Sequence, residues 1–111
     1  MMKFLTTFVL LFSFSTLHAQ KIISVDYESR ADVKVFVVDY ESQADLLVYK
    51  VDYESRAGKN NGLWFFVEYE SQADKKIFFV DYESQADLKI YFVDYESRAD
   101  WKNKKKKDLM Y

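Results

Sequence analysis

Apolar and polar residues alternate along short stretches of this chain. In the stretch LKIYFVDY, which starts at Leu88, one set of alternate positions holds Ile90 and Phe92, and the other holds Tyr91 and Val93. Such stretches are rich in β-branched and aromatic residues, which favour strands. Both sets are apolar in the middle, which is typical of strands that are covered on both faces near their centres. The pattern predicts short β-strands and little helix.

The strand pattern recurs in six near-copies of a 13-residue unit, of which residues 80–92, VDYESQADLKIYF, are the clearest. Each copy is marked by an Asp-Tyr step, once Glu-Tyr, at intervals of 13, 13, 16, 13 and 13 residues. The first residues of these steps are Asp26, Asp39, Asp52, Glu68, Asp81 and Asp94. Equivalent strand positions keep their apolar character, except that Lys50 interrupts a column of valine and phenylalanine. A fixed period of this kind predicts stacked or ring-closed units.

The Glu-Ser-Gln-Ala-Asp part of each unit predicts a bend, because Ser and Asp side chains bond to nearby backbone groups in turns. These bends contain no Gly or Pro, so we expect broad corners and not two-residue hairpins. The recurring Ala indicates close approach by another chain segment. The third unit is longer because it contains GKNNG, residues 58–62, which we expect to form an exposed tip.

Both ends of the repeat look like partial units. Residues 21–27, KIISVDY, fit the strand half of a unit, and Trp101 occupies the slot that Leu88 fills. A basic stretch follows, and then residues 109–111, LMY, which we expect to dock back on the body. Because an open solenoid needs polar capping units, two partial units favour a ring. We therefore expect residues 20–111 to form one small, mainly β domain of pseudo-symmetric, ring-like repeats.

Residues 1–19 have the layout of a signal peptide: a basic start at Lys3, an apolar run to Leu17, and a small residue, Ala19, before the junction. The alternative is an uncleaved anchor, but the apolar run is short for a spanning helix, which needs about 20 residues. No Cys exists to carry a lipid. We expect a secreted or periplasmic protein with no membrane association in its mature form.

Composition excludes several kinds of chemistry. Cleavage after Ala19 would leave 111 − 19 = 92 residues, remove Lys3 and the single histidine, His18, and change the net charge from −2 to −3. Without Cys or His, the mature chain cannot form Cys nucleophiles, Ser-His-Asp relays or zinc sites with N or S ligands. The two Gly cannot form a phosphate loop. We expect no enzyme, no cofactor, and no catalytic, cofactor-binding or metal-ligating residues.

Recurring carboxylates, such as Asp26, Glu28 and Asp32 in the first unit, are the main candidate site. Oxygen clusters can hold calcium, and carboxylate pairs hydrolyse glycosides. However, no Gly-containing calcium loop is present, and a catalytic pair should be singular, whereas this one recurs in every unit. We expect the acids to solvate turns, with little calcium dependence. Their expected basic partners are Lys34, Lys89, Arg30 and Arg98.

Two further signals concern binding. Lys102 and residues 104–107 form a charge run that could bind nucleic acid, anionic lipid or polysaccharide; without interleaved aromatics we expect a solvated loop and no nucleic-acid partner. The recurring tyrosines could form an exposed ladder for carbohydrate, although packing of the rings with hydroxyls at the rim is the favoured interpretation. These tyrosines are Tyr27, Tyr40, Tyr53, Tyr69, Tyr82 and Tyr95.

Residues 44–55 (ADLLVYKVDYES), residues 73–97 (ADKKIFFVDYESQADLKIYFVDYES), the insert at residues 58–66 and the closing KK…LMY together resemble the bacterial septoil-knot domain family. The resemblance covers residues 25–111. It implies a small β-rich domain whose backbone forms a deep, seven-crossing torus knot. It implies no catalytic residues, because no activity is established for the family.

Two hypotheses for function remain. The first is a secreted, highly stable, non-enzymatic knotted domain, monomeric, that serves as a structural or interaction module. The second is a carbohydrate- or cation-binding protein that uses the repeated Tyr and Asp/Glu columns. Solvent-exposed tyrosine rings on one surface would favour the second.

The leader generates a first prediction. We expect the protein recovered from the cell to begin at or near Gln20, because a leader of this layout is removed during export. Intact-mass measurement of the exported protein checks this. A secreted or periplasmic species that still carries Met1 would contradict it.

Overall fold

A computed structural model describes residues 20–111. The signal peptide assigned to residues 1–19 lies outside them. Within the described residues the regular elements are β-strands and 3-10 turns, which confirms the mainly β domain. The strands are β1 (Lys21–Ser24), β2 (Val33–Val37), β3 (Leu46–Lys50), β4 (Leu63–Phe66), β5 (Lys75–Phe79), β6 (Leu88–Phe92) and β7 (Asp100–Trp101). No helix in residues 20–111 has the length and hydropathy needed to cross a bilayer.

Strands β1 to β6 form a closed parallel barrel. Their order around it is β4-β1-β5-β2-β6-β3, and β3 pairs again with β4 to close the ring. The chain therefore makes one lap with β1–β3 and a second with β4–β6, and every strand lies between two strands of the other lap. The short strand β7 pairs antiparallel with β3. Ring-like closure is confirmed, while the seven-crossing knot stays a prediction.

Every pairing in the barrel has the same two-residue stagger. Ile77 is the repeat counterpart of Val35, yet it lies opposite Val33. In the same way Lys50, the counterpart of Phe66, lies opposite Trp64. A constant stagger tilts the strands about the barrel axis. Equivalent residues of the six units therefore form level rings inside the barrel.

The interior is filled by large apolar side chains. The central ring is fully buried and consists of Ile22, Val35, Val48, Trp64, Ile77 and Ile90. Trp64 packs edge-to-face on Phe66, with ring centroids 6.0 Å apart. Its indole N–H has no hydrogen-bond partner within residues 20–111. The barrel is therefore a packed core with no channel through it.

The GKNNG loop is exposed at Lys59 and Asn61 but buried at Asn60 and Gly62, so the predicted exposed tip is confirmed only in part. Asn60 is buried, its carbonyl accepts a 2.9 Å bond from the Trp101 indole, and its amide donates to the Lys107 carbonyl at 3.0 Å. Gly62 has φ 91°, and a Cβ there would lie 2.4 Å from the carbonyl oxygen of Leu47. The loop packs inward because it supports the C-terminal segment.

The C-terminal segment covers the N-terminal end of the barrel. Lys104–Met110 is a 3-10 helix where we expected a loop, although Lys104, Lys105 and Asp108 in it are exposed to solvent as expected. The Gln20 side chain donates to the Met110 carbonyl at 2.9 Å, and the Lys106 ammonium donates to the Asp87 carbonyl at 3.0 Å. Gln20 and Asp87 immediately precede strands β1 and β6. We call this segment, residues 102–111, the basic plug.

The prediction that residues 109–111 dock on the body is confirmed for Met110 and wrong for Leu109 and Tyr111. Met110 is 3% exposed and packs on the barrel core. Leu109 and Tyr111 are 37% and 71% exposed, because neighbouring residues of a 3-10 helix point in different directions. Of residues 109–111, Met110 is therefore the one that fills the end of the barrel.

We predict that Met110→Ala lowers the free energy of unfolding by about 2–5 kcal/mol, because it leaves a cavity at the barrel end. The control Tyr111→Ala should change it by less than about 0.5 kcal/mol, as at other exposed positions. Urea denaturation of both variants measures the difference. Equal midpoints would show that the plug contributes nothing to stability.

Candidate binding surface on the repeat corners

Each connection between strands contains a corner built from the same residues. A tyrosine in extended conformation, with φ between −126° and −131°, precedes a three-residue 3-10 turn of Glu-Ser-Arg or Glu-Ser-Gln. The N–H of the third turn residue donates to the tyrosine carbonyl at 3.0 Å in all six corners. The bends predicted from the sequence are confirmed, and their serines are exposed at the middle of the turns.

The six corner tyrosines are large apolar side chains that lie mostly in solvent. Their exposed fractions run from 64% at Tyr69 to 70% at Tyr53. The interpretation that these rings pack against the body is therefore wrong. Because the strands are parallel and each tyrosine follows its strand at the same distance, the six rings surround the C-terminal end of the barrel.

Arginine–glutamate pairs join neighbouring corners. Arg98 donates two bonds to Glu41, at 2.5 and 2.6 Å. The other two pairs are Arg30 with Glu70 and Arg56 with Glu96. The hydrogen bond and the charge of Glu70 raise the pKa of the Arg30 guanidinium. All three pairs are solvent-exposed, so they set how adjacent corners lie more than they stabilise the barrel.

The other three corners carry Gln in place of Arg, so there are three arginines for six corner glutamates. The remaining three glutamates pair with lysines. These pairs are Glu28 with Lys34 at 3.5 Å, Glu54 with Lys21 at 3.7 Å, and Glu83 with Lys89 at 3.3 Å. The expected pairing with Lys34, Lys89, Arg30 and Arg98 is confirmed for the corner glutamates.

In four of the six connections, the last aspartate ties the corner to the neighbouring strand. The main-chain N–H of Asp87 donates to the Lys34 carbonyl at 2.8 Å, and the Lys34 N–H donates to the Asp87 carboxylate at 2.9 Å. The same reciprocal bonds join Asp32 to Lys76, Asp45 to Lys89 and Asp74 to Lys21. These carboxylates are structural acceptors, as turn acids should be.

Shallow grooves run between neighbouring corners. One is lined by Asp26, Arg30, Glu68, Tyr69 and Glu70, and encloses about 420 Å³. A smaller groove of about 120 Å³ is lined in part by Asp52, Tyr53, Arg56 and Glu96. Each groove therefore sets an exposed tyrosine beside an arginine–glutamate pair.

A third groove lies beside the basic plug and is lined by Glu83, Ser84, Ala86, Lys89 and Lys106. Lys106 also lies 3.3 Å from the Asp45 carboxylate, so this member of the charge run is a structural residue. Lys104 and Lys105 are exposed. Within residues 20–111, no three acidic side chains approach closely enough to hold a metal ion.

The comparisons with known proteins agree with this fold. Residues 19–102 match the family described as the 7(1) septoil knot domain, which confirms the resemblance seen in the repeat units. No curated protein and no solved structure matches the chain.

The reciprocal aspartate bonds generate a prediction. We expect Asp87→Ala to lower the free energy of unfolding by about 1–3 kcal/mol, because the Lys34 N–H loses its acceptor. Asp81→Ala, at an exposed position of the same unit, should cost less than about 0.5 kcal/mol. Asp87→Asn keeps an acceptor oxygen and should recover part of the loss. Chemical denaturation of the three variants checks this ordering, and equal losses at both aspartates would contradict it.

Proposed function

The chain belongs to the family of septoil knot domains, and from that premise we propose that it is an exported, non-enzymatic binding module that holds carbohydrate against its corner tyrosines. The observation that carries this proposal is the exposure of six equivalent tyrosine rings, at 64–70%. Large aromatic side chains are concentrated at recognition surfaces. Their flat faces match the apolar C–H faces of sugar rings.

The polar groups beside each ring fit the same ligand. Carboxylates accept hydrogen bonds and guanidinium groups donate them, and sugar hydroxyls do both. The corner grooves present Asp26 with Arg30, and Asp52 with Arg56, next to a tyrosine. A single groove is shallow, so each site should bind weakly. Six sites around one rim favour a polymeric ligand that touches several of them at once.

Export and lack of catalysis are parts of the proposal that rest on the sequence. The leader layout of residues 1–19 supports export. A secreted or periplasmic domain would meet polysaccharide outside the cytoplasm. The absence of Cys throughout, and of His after His18, supports a non-enzymatic role. The recurring serines have no histidine beside them to act as a base.

The remaining part of the proposed function is that the domain is highly stable. The six-stranded ring leaves none of its own strands with an unpaired edge, because β3 and β4 close it. Closure removes the exposed backbone groups through which sheets aggregate. A scaffold of this kind would keep its binding rim in shape outside the cell, where a Cys-free chain has no disulfides to support it.

Three tyrosines from adjacent corners provide the test. We expect the variant with Tyr40, Tyr53 and Tyr95 changed to Ala to bind soluble polysaccharide at least about tenfold more weakly, since three aromatic contacts of roughly 0.5–1.5 kcal/mol each are lost. Titration calorimetry against a neutral glucan, a chitin oligosaccharide and a polyuronate measures this. The thermal midpoint should stay unchanged because the rings are exposed.

The matched control replaces the serines of the same corners, Ser42, Ser55 and Ser97, by Ala, and should bind as the parent does. If the parent protein binds none of the three polymers, or if the tyrosine variant binds as well as the serine control, the proposal is wrong.

A further inference from the structure

The C-terminal mouth of the barrel is mostly apolar and partly exposed to solvent. The last inward position of each strand forms a ring in the order Phe66, Ser24, Phe79, Val37, Phe92 and Lys50. Three phenylalanines from the second lap thus alternate with three smaller or flexible residues from the first. Val37 is 39% exposed, and the phenylalanines are only partly buried. We call this ring the Phe mouth.

A second ring, of acids, surrounds the Phe mouth. Each mouth residue is followed two positions later in the chain by an exposed carboxylate. In sequence order these carboxylates belong to Asp26, Asp39, Asp52, Glu68, Asp81 and Asp94. Lys50 is the one positive member of the mouth itself. Its ammonium lies over the rings of Phe92 and Phe66, 5.0 and 5.2 Å from their centroids, so it is held there by cation–π contacts.

The opposite end of the barrel has the reverse character. The basic plug carries five lysines and one aspartate in residues 102–108. Among its residues, Lys102, Lys104 and Lys105 are exposed. Leu109 and Tyr111 project from the same segment, at 37% and 71% exposure. This end therefore presents two apolar side chains among positive charges, whereas the other presents an apolar mouth among negative ones.

We propose that copies of this chain associate head to tail, with Leu109 and Tyr111 of one copy packed into the Phe mouth of the next. The plug lysines then face the acidic ring of the neighbouring copy. The contact is heterologous, because different surfaces of the two copies meet, so it can repeat along a row. This inference departs from the monomer expected from the sequence, and it does not depend on carbohydrate binding.

Charge selects this arrangement over symmetric ones. A two-fold dimer through the Phe mouths would bring two acidic rings together, and a dimer through the plugs would bring the lysine runs together. Like charges across an interface disfavour such pairings, whereas complementary charges speed and orient association. Covering the partly exposed phenylalanines supplies the apolar contribution.

Analytical ultracentrifugation of the full exported chain tests the proposal. We expect the weight-average mass to rise with protein concentration at about 20 mM salt and to fall toward the monomer at about 500 mM, because exposed charges are screened. The variant Leu109→Ser with Tyr111→Ser should stay monomeric under both conditions. The control Gln43→Ser with Gln85→Ser, at two exposed corner positions, should associate as the parent does.

Charge exchange gives an independent readout. Lys104→Glu with Lys105→Glu brings the net charge of plug residues 102–108 from +4 to 0, and Asp39→Lys with Asp81→Lys brings that of the acidic ring from −6 to −2. Each variant alone should be monomeric, because the attraction between its two ends is lost. An equimolar mixture should associate again, since the unaltered plug of one variant meets the unaltered acidic ring of the other. A parent chain that stays monomeric at every concentration, association that survives removal of Leu109 and Tyr111, or a mixture that fails to associate would each overturn the proposal.

Discussion

Alternation of two laps is the constraint on which the whole barrel depends. Strands β1, β2 and β3 do not pair with one another, and strands β4, β5 and β6 do not pair with one another either. Each strand lies between two strands of the other lap. Neither lap can form a sheet alone, so the first three units have no hydrogen-bonded partners until the last three are in place. Cooperative closure compensates for the small size of the chain, which buries only about 60–65% of its unfolded surface.

Alternation also explains how near-identical units share one interior. Six aromatic side chains at one level would overfill a narrow barrel, so aromatic residues of the second lap alternate with smaller residues of the first. At the Phe mouth the second lap supplies Phe66, Phe79 and Phe92, and the first supplies smaller or flexible residues between them. Lys50 is accommodated because its ammonium lies over two of these rings. The departures from perfect repetition are thus set by packing between laps.

Much of this architecture could be predicted from the sequence, because period-two alternation and a 13-residue repeat are local signals. The strands, the corners, closure and the acid–base pairs follow from them. The burial of the loop at residues 58–62 could not be foreseen, since Asn60 contacts residues that are distant in the chain, among them Trp101 and Lys107. Exposure of the tyrosines was only the less favoured interpretation, because alternation says nothing about residues beyond the strand ends. Their constant place after Asp or Glu was the available signal.

Closure of the ring by β3 and β4 bears on the order of folding. Most strand pairs join residues 44 or 53 positions apart, as in Val33 with Ile77 and Val35 with Leu88. Tyr49 and Leu63, by contrast, are only 14 residues apart. Loop-closure entropy rises with separation, so this pair is the least costly place for parallel pairing to begin. Pairing of β3 with β4 across the lengthened third unit therefore has the lowest loop-closure cost, so we expect the barrel to form outward from the middle of the chain and the two chain ends to join last.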